Sequence, residues 1–563
     1  MIYHCEDHTC NYWDEGEKLP ERCPQCGRKL LRANEADMTG DDWTALGNTL
    51  WDAEASDKKR MVDCFRKAAY LGSAWGVCNL GICMEQGNGV EADPVQAFWL
   101  YQQAVEMGSL NAVCCLGVCY QYGIGTAPDA KQAAELYRKA AEYGSPRGQM
   151  LLARAFHDGI GVEADAAEAV HWVRAAAYQR YGEGMYRLGV CYEYGDGVEQ
   201  NWEHAVHWFR EAAESGVSVA MTDLGYCYEK GCGVEQSWEQ AFSWYRISAE
   251  CGNPVSMSNL GLCYQMGYGV EQNWQEAIKW YEQGAQCGNL QSMHNLACCY
   301  EGGEGVEQNE ERALYWYRRG AEAGSDYCMY CLGWNYSNGE GVEQNMTEAI
   351  RWYTAAAEGG NAAAMHSLGW HYDHGEGVEQ DMKKAICWYE RAAKQNHPAA
   401  MNSLGECYAM GRGVPRDLET AMEWYRRAAE LGEAMADYNM GWHLEQAGKL
   451  SEAYAHYRKA ADGNDDSAWW ALGRFYENGV VVAQDGKEAR RCYETGEKLG
   501  SVKCKMRLAR CKLLGIGGRR AKKAGLDLCR QALELAKESS EKEDYGYEAE
   551  MNLLRRTIAE NES

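Results

Sequence analysis

The hexapeptide "GVEQNW" at Gly269–Trp274 returns along the chain at an even spacing. It stands unchanged at Gly197–Trp202 and as "GVEQSW" at Gly233–Trp238. An even spacing of this kind is typical of repeat architectures, in which each copy is one supersecondary unit. Shorter forms, "GVEQN" or "GVEQD", begin at Gly305, Gly341 and Gly377.

A leucine followed by a small residue has the same period. The pair recurs every 36 residues from Leu80 to Leu404 and on to Met440. Leu46, Leu472 and Leu508 continue the array at less regular intervals. The sequence therefore predicts about fourteen repeats over residues 36–525, between an N-terminal segment, 1–35, and a charged C-terminal helical cap, 526–563.

One unit, Pro254–Gly288, predicts a pair of helices. Apolar and small residues recur at helical spacing up to Gly267 and Gly269, which tolerate the positive φ of a helix end. A second helix is predicted to begin at Asn273, a typical N-cap residue. A helical hairpin cannot bury its apolar faces alone, so we expect neighbouring units to stack into an all-α solenoid. The apolar face of the second helix carries Ala277, Trp280, Tyr281 and Ala285.

The glutamate that follows each repeated valine has two interpretations. The first is a solvated loop edge that keeps a long array soluble, and the second is an acidic ladder that binds a basic partner. The residues concerned are Glu91, Glu163, Glu199, Glu235, Glu271, Glu307, Glu343 and Glu379.

The letters of the unit resemble a known family. Leu-Gly-x-x-Tyr-x-x-Gly-x-Gly-Val, followed by Ala-x-x-Trp-Tyr-x-x-Ala-Ala-x-x-Gly, is similar to the Sel-one-like repeat (SLR) family, a relative of the tetratricopeptide repeat. The likeness covers most of the chain and is strongest from Leu188 to Leu404. It implies a right-handed α-solenoid of antiparallel helix pairs whose first helices line a concave groove. It also implies a role as an adaptor that brings proteins together.

One branch of the same family suggests an alternative function. Its members are secreted, cysteine-rich proteins described as penicillin-binding or β-lactamase-like, and two cysteines eight positions apart staple each unit. Here those positions hold, for example, Ala249 and Met257. No phosphate-binding loop after a strand and no nucleophile motif is present in the sequence. We therefore expect no enzyme activity and disfavour the hydrolase alternative.

Composition excludes several classes of partner. The chain has 83 acidic and 56 basic residues and a net charge of −27, which repels a nucleic-acid backbone. No apolar stretch is long enough to span a bilayer, and the first residues lack the basic and apolar regions of a secretory signal. The 26 cysteines are spread through the chain and fit reduced thiols. We expect a cytoplasmic protein that binds neither nucleic acid nor membrane.

Four N-terminal cysteines predict a structural zinc ribbon. Their spacing is Cys-x4-Cys-x12-Cys-x2-Cys, and four soft thiolates in two short turns suit tetrahedral zinc, Zn(2+). About thirty residues cannot bury enough core to fold unaided, so the metal would supply the folding free energy. Replacement of one cysteine by His4 or His8 and a redox pair remain alternatives. The predicted ligands are Cys5, Cys10, Cys23 and Cys26.

Soft and aromatic side chains flank the repeat leucine. Methionines stand three positions before it and cysteines three positions after it, and we predict that both ladders pack between repeats. His366, His371 and His374 form the densest imidazole cluster. Because His371 occupies a cysteine position of the ladder, we predict a core histidine there and not a metal ligand.

A binding groove is predicted from the positions two before and two after the leucine, which differ from unit to unit. Tryptophan and tyrosine concentrate there between residues 330 and 442, and such residues supply binding hot spots. Packing of these tryptophans against neighbouring hairpins is the alternative. Carboxylates five positions after the leucine favour a basic partner. The predicted anchors are Tyr330, Trp334, His366, Trp370, Tyr438 and Trp442.

The sequence as a whole favours a non-enzymatic protein-interaction scaffold. It would bind a protein or peptide segment in the concave groove, with a basic segment as one option. The zinc ribbon would cap the first repeat or make an additional contact. A purely architectural array, in which only the ribbon engages a partner, is the remaining alternative.

Overall fold

The computed structural model describes residues 2–5, 13–15, 30–33, 35–51, 55–542 and 548–562. The chain divides into two units, Met1–Ser292 and Met293–Ser563. The described residues of both units are mostly helical, and the first unit begins with a small sheet.

The sheet has three short antiparallel strands, β1 Ile2–Cys5, β2 Trp13–Glu15 and β3 Leu30–Ala33. Strand β1 lies in the middle, with β2 on one side and β3 on the other. His4 is opposite Trp13 on β2, and Cys5 is opposite Leu30 on β3. A short 3-10 helix, Glu35–Asp37, follows the sheet.

The other described elements of the first unit are α-helices. Each is short, and most have 13 residues, as expected for one half of a repeated hairpin. They are α1 Gly40–Thr49, α2 Ala55–Tyr70, α3 Ala74–Gln86, α4 Pro94–Glu106, α5 Leu110–Tyr122, α6 Ala130–Glu142, α7 Pro146–Asp158, α8 Ala166–Tyr178, α9 Gly182–Tyr194, α10 Trp202–Glu214, α11 Ser218–Lys230, α12 Trp238–Glu250, α13 Pro254–Met266 and α14 Trp274–Gln286.

The second unit continues the same alternation. Helix α15, Leu290–Gly302, contains the boundary between the units. The following helices are α16 Glu310–Glu322, α17 Asp326–Asn338, α18 Met346–Glu358, α19 Ala362–His374, α20 Met382–Lys394, α21 Pro398–Met410, α22 Leu418–Glu430, α23 Ala434–Gln446, α24 Leu450–Asp462, α25 Asp466–Asn478, α26 Gly486–Lys498, α27 Val502–Leu514, α28 Lys522–Lys542 and α29 Glu548–Glu562.

Within each unit, helices pack in consecutive pairs, such as α13 with α14, and each pair packs on the next. The predicted all-α array of helix pairs is therefore confirmed, and its right-handedness stays a prediction. No helix in the described part of the chain is long and apolar enough to cross a membrane.

Both predicted helix boundaries of the unit Pro254–Gly288 are confirmed. Helix α13 ends at Gly267, whose φ of 75° is left-handed and whose N–H donates to the carbonyl of Cys263. Helix α14 begins after Asn273, whose side-chain oxygen accepts a hydrogen bond of 3.2 Å from the backbone N–H of Glu276. These local caps satisfy backbone groups that the helices leave unpaired.

The second glycine of the turn allows both the turn conformation and a close approach to the preceding repeat. Gly269 has a φ of 68°, and a Cβ at this position would collide with the carbonyl of Trp238 at the start of α12. The turn of one repeat therefore lies against the backbone of the preceding repeat. Only glycine permits both the conformation and this approach.

The glutamine of the repeated motif caps the preceding helix. Neither interpretation of the motif predicted this role. Gln272 donates through Nε2 to the carbonyl of Gln265 at 2.7 Å, near the end of α13. Gln236 and Gln344 make the same bond, seven residues back, to the carbonyls of Glu229 and Ser337. The preceding glutamate is solvent-exposed at Glu271. The motif thus combines a helix cap with a solvated edge.

The two ladders beside the repeat leucine form the core. Leu260, Met257 and Cys263 are all buried in one cluster, together with side chains of α12. The predicted packing role of both ladders is confirmed, except that Met329 and Cys191 are only partly buried.

The C-terminal helical cap begins differently from the prediction. The predicted boundary after residue 525 lies inside α28, Lys522–Lys542, which packs on α27 as the second helix of a pair. Helix α29 follows it and also packs on α27.

Candidate functional site

Three tryptophans on the first helices of the second unit occupy equivalent surface positions. Trp334, Trp370 and Trp442 stand two residues after a buried Leu332, Leu368 or Met440. Two residues turn an α-helix by about 200°, so this position faces away from the core. The three side chains are 47%, 37% and 37% exposed. The tryptophans are therefore presented to solvent.

Four of the six predicted anchors meet in one pocket. Tyr330 and Trp334 of α17, with His366 and Trp370 of α19, line a cavity of 450 Å³. Tyr353 of α18 also lines it. The remaining two predicted anchors, Tyr438 and Trp442, lie on α23 and do not line this cavity.

Two of the three exposed tryptophans lie against neighbouring imidazoles. Trp370 stacks on His374 with a centroid separation of 4.2 Å and an interplanar angle of 20°. Nδ1 of His374 lies 2.9 Å from the carbonyl oxygen of Trp370. Trp442 meets His443 edge-on at 4.7 Å. A ring that is already ordered loses little side-chain entropy on binding.

The other three predicted anchors, Tyr330, His366 and Tyr438, are half-buried. His366 stacks on His397 at 5.3 Å, and its Nε2 lies 3.2 Å from Oγ of Ser403. Burial, and then the neighbouring His397, lower the pKa of His366 to about 4, so its ring is neutral at pH 7. Burial raises the pKa of Tyr438 to about 12. Tyr330 packs 5.9 Å from Tyr353.

Carboxylates five positions after the leucine, which the sequence analysis related to a basic partner, have partners within the chain. In the second unit, Asp373 pairs with Arg412 at 3.0 Å, and Glu445 pairs with Arg474 at 3.1 Å. Glu445 also accepts a hydrogen bond of 2.7 Å from the buried Tyr457 hydroxyl. These carboxylates therefore serve the packing of the array, which weakens the argument for a basic partner.

His371 is a core residue, as predicted. Its side chain is 4% exposed, and Nδ1 lies 3.0 Å from the carbonyl oxygen of Glu376. Burial lowers the pKa of the imidazole. The described residues contain no group of three or more His, Cys, Asp or Glu side chains placed to hold a metal ion.

The side chains of the predicted zinc ligands lie outside the described part of the chain. Cys10, Cys23 and Cys26 lie outside the described residues, and of Cys5 only the backbone is described, at the end of β1. The zinc site therefore stays a prediction.

The sequence reasoning missed a larger pocket in the first unit. Arg154 and His157 of α7, Val173 of α8 and Arg187 of α9 line a cavity of 820 Å³. The signal that could have revealed it is one residue, because Val173 stands where most second helices carry a buried tyrosine.

The repeats of this chain match a known family, the Sel1 repeat. The matched residues are 76–109, 112–145, 146–181, 182–217, 218–253, 254–289, 290–325, 326–361, 362–397, 398–433, 434–465 and 468–501. The chain belongs to the Sel1 repeat family. The predicted family is confirmed, and the protein is a Sel1 repeat helical scaffold. The helices before residue 76 and after residue 501 extend the array beyond the matched repeats.

Solved Sel1 repeat structures resemble this chain. One is c5321, a protective antigen present in uropathogenic Escherichia coli strains displaying an SLR fold. It is 28% identical, with a TM-score of 0.52 over 76% of this chain and 94% of its own. Another is a Sel1 repeat protein from Oxalobacter formigenes, 32% identical over 44% of this chain and 98% of its own, with a TM-score of 0.41. A search of curated proteins found no match.

Proposed function

We propose that this Sel1 repeat protein is a non-enzymatic scaffold that binds a polypeptide segment along the first helices of its second unit, in the concave groove that the family resemblance implies. One observation supports this most: Trp334 and Trp370 are exposed at equivalent positions and share a cavity with Tyr330 and His366. A pocket between ordered aromatic rings is a typical hot-spot environment.

The repeat spacing suggests how a segment would lie. Packed helices are about 10 Å apart, and an extended chain advances about 3.3 Å per residue. Side chains three residues apart on an extended segment would therefore reach Trp334 and Trp370 in turn. Trp442 stands two repeats further along the array, which adds about six residues to the bound segment.

In the proposed complex, apolar contacts contribute more to the affinity than charge does. The carboxylates five positions after the leucine on α19 and α23, Asp373 and Glu445, are paired with Arg412 and Arg474, so a basic segment gains less from them than from free carboxylates. A basic partner remains compatible with the net charge of −27. The same charge supports the proposal that the protein binds no nucleic acid. A cytoplasmic location is part of the proposal.

Cross-linking would identify the bound segment. A photoreactive phenylalanine analogue at position 334 of the full-length protein is irradiated in native lysate, and cross-linked segments are identified by mass spectrometry. Each segment is then synthesised, and its affinity is measured by fluorescence anisotropy at several salt concentrations. Affinity that does not fall with ionic strength would exclude a charge-driven contact.

A double variant tests whether the tryptophans carry the affinity. Trp334→Ala/Trp370→Ala should weaken the segment at least about tenfold, because hot-spot truncations cost about 2 kcal/mol each. The control is Trp99→Ala, which removes a tryptophan of similar exposure, 53%, from the second helix α4. Equal affinity in wild type and double variant, with helicity intact, would contradict the proposed site.

The hydrolase alternative can be tested separately. All cysteines whose side chains the structure describes are free thiols, whereas the β-lactamase-like branch of the family is expected to have stapled units. We therefore propose that a chromogenic β-lactam is not turned over. Turnover that is lost on a point change in the array would overturn the non-enzymatic proposal.

We also propose that residues 1–35 hold one structural zinc ion. Cys5 ends β1 opposite Leu30, and Cys26 precedes Leu30 by four residues. Cys10 precedes Trp13 by three residues, and Trp13 is opposite His4. Strands β2 and β3 therefore both begin beside the end of β1 at which Cys5 stands. Bound zinc would stabilise a segment too short to fold on its own core.

Metal analysis tests the zinc proposal. Full-length protein purified in metal-free buffer should contain about one zinc ion per chain, as for a closed four-ligand site. Cys23→Ser/Cys26→Ser should lose it, and the matched variant Cys251→Ser/Cys287→Ser, which changes two exposed cysteines, should keep it. Equal zinc content in all three proteins would refute the site.

A further inference from the structure

In the helix pairs that match the Sel1 repeat, the second helices share a buried aromatic position with one exception; outside them, α28 has Cys529 at this position. At this position a ring packs against the glycine that follows the repeat leucine, as Tyr281 does at Gly261 and Phe209 at Gly189. In α8 the residue is Val173. The tyrosines at the position are Tyr101, Tyr137, Tyr245, Tyr281, Tyr317, Tyr353, Tyr389, Tyr425, Tyr457 and Tyr493, all at most 2% exposed.

The missing ring coincides with the 820 Å³ cavity of the first unit. Val173 contributes to its floor together with Val170, Ala169 and Ala153, and all four side chains are at most 6% exposed. The equivalent cavity in the second unit, where Tyr353 is in place, measures 450 Å³. Valine lacks the phenol ring, and Ala153 stands in place of the usual glycine, so the cavity borders the position that a ring takes in most other repeats.

The acidic residues at the mouth of this cavity have partners of their own. His157 lies 2.7 Å from Asp158 and 3.2 Å from Asp196, and Arg154 lies 3.4 Å from Asp158. The hydrogen bond to Asp158, and then the charge of Asp196, raise the pKa of His157. The remaining carboxylate is Glu183. Burial, and then the charge of Glu183, raise the pKa of the neighbouring Tyr181.

One cation at the mouth has no such partner. Arg187 of α9 lines the cavity, is exposed, and has no ion-pair or hydrogen-bond partner within the described residues. Arg147, also in the lining, donates instead to the side chains of Asn111 and Cys115. The cavity therefore combines an apolar floor shaped by a missing ring with a guanidinium that is available to an anion.

We propose that this cavity binds a small aromatic carboxylate. Its ring would occupy the space that tyrosine fills in the other repeats, and Arg187 would bind its carboxylate. The volume lies in the range of small-molecule sites, which join an apolar lining to a few placed polar groups. This site is separate from the polypeptide surface of the second unit and does not depend on that proposal.

Titration calorimetry of the full-length protein with 3-phenylpropionate tests the ligand class. Two probes act as chemical controls: 3-phenylpropylamine has the ring with the opposite charge, and hexanoate has the carboxylate without a ring. Both should bind at least about tenfold more weakly, which corresponds to 1.4 kcal/mol. Equal binding of the amine, or no binding of 3-phenylpropionate at about 10 mM, would overturn the proposal.

Val173→Tyr tests the site, because it restores the tyrosine of the other repeats and fills the cavity from within. Binding of 3-phenylpropionate should be lost while helicity is retained. Phe209→Tyr places a tyrosine at the equivalent position one repeat later and should leave binding unchanged. If Val173→Tyr does not fold, Val173→Phe supplies a ring without the hydroxyl, as already occurs at Phe209. A folded variant of either kind that binds as wild type would refute the site.

Arg187→Gln tests the anion contact. Affinity for 3-phenylpropionate should fall about tenfold and lose most of its salt dependence. Lys139→Gln removes one positive charge outside the cavity lining and should change neither. Equal losses in both variants would assign the effect to overall charge and exclude Arg187 as the carboxylate ligand.

Discussion

The hydroxyl of Tyr281 donates a hydrogen bond of 2.6 Å to Oε1 of Gln265, sixteen residues earlier. It joins the buried middle of α14 to the end of α13. Tyr101 and Tyr245 make the same bond to Glu85 and Glu229. A buried tyrosine needs a partner for its hydroxyl, so the acceptors five positions after the leucine are explained by packing of the repeat itself.

Removing one of these hydroxyls should destabilise the array. Tyr245→Phe deletes the 2.8 Å bond to Glu229 and should cost about 1–2 kcal/mol, because a half-buried carboxylate loses a donor. Urea unfolding and hydrogen exchange at α11 and α12 would measure the loss. Tyr226→Phe, at a position 44% exposed, is the control and should be neutral. Equal stability of both variants would contradict this role.

Adding the hydroxyl where it is missing should have the opposite effect. Phe209 is fully buried, and the residue sixteen positions earlier is Glu193. Burial, and then the charge of Asp223, raise the pKa of Glu193. Phe209→Tyr should donate to this carboxylate, lower its pKa and stabilise the first unit by about 1 kcal/mol. A lower unfolding midpoint than wild type would show that the hydroxyl does not reach Glu193.

Substitutions at two glycines should distinguish the cost of backbone strain from the cost of steric contact. Gly269 and Gly288 both have positive φ, 68° and 86°. Only at Gly269 would a Cβ meet the neighbouring repeat, since nothing lies within 4 Å of a Cβ at Gly288. Gly288→Ala should cost about 1 kcal/mol from conformation alone, and Gly269→Ala should cost clearly more. Similar unfolding midpoints would mean that the turn can move away from Trp238.

The adjacent residues Glu271 and Gln272 should respond differently to substitution. Gln272→Ala removes the bond to the carbonyl of Gln265 and should cost about 0.5–1.5 kcal/mol. Glu271 is exposed, so Glu271→Ala should change stability by no more than about 0.5 kcal/mol. Thermal melting of the two variants gives the comparison. A larger loss in Glu271→Ala would reverse the assignment of structural and solvated roles.

Acid should destabilise the second unit through His366. Its pKa is about 4 in the folded protein and about 6.5 in an unfolded chain. The unfolded state therefore binds more protons between these values, so the contribution is complete above about pH 6.5 and is lost as pH falls toward 4. The loss should be roughly 3 kcal/mol at most.

Melting temperatures between pH 7 and pH 4 would measure the contribution of His366. His366→Phe should flatten the acid side of the profile, because the variant has no imidazole to protonate. His207→Phe, at an exposed position in the other unit, should follow the wild-type profile. Superimposable profiles for wild type and His366→Phe would show that His366 does not contribute.

Local signals in the sequence were enough to determine the period, the helix pairs and the helix ends within the unit Pro254–Gly288. The glycine at Gly267 and the N-cap at Asn273 act through their own neighbours along the chain, and the buried ladders follow from helical spacing. The match to the Sel1 repeat could be recognised for the same reason, since its letters are turn and core residues.

Tertiary structure decided which of the regular positions are available to a ligand. Sequence spacing placed Trp334 and His366 in one predicted groove, but only packing leaves the tryptophan exposed and half-buries the histidine. The carboxylate of Glu445 is occupied by Tyr457 and Arg474, and the valine at position 173 matters because of the cavity beside it. Exposure, pairing and cavities depend on distances between stacked repeats, which the period along the chain does not contain.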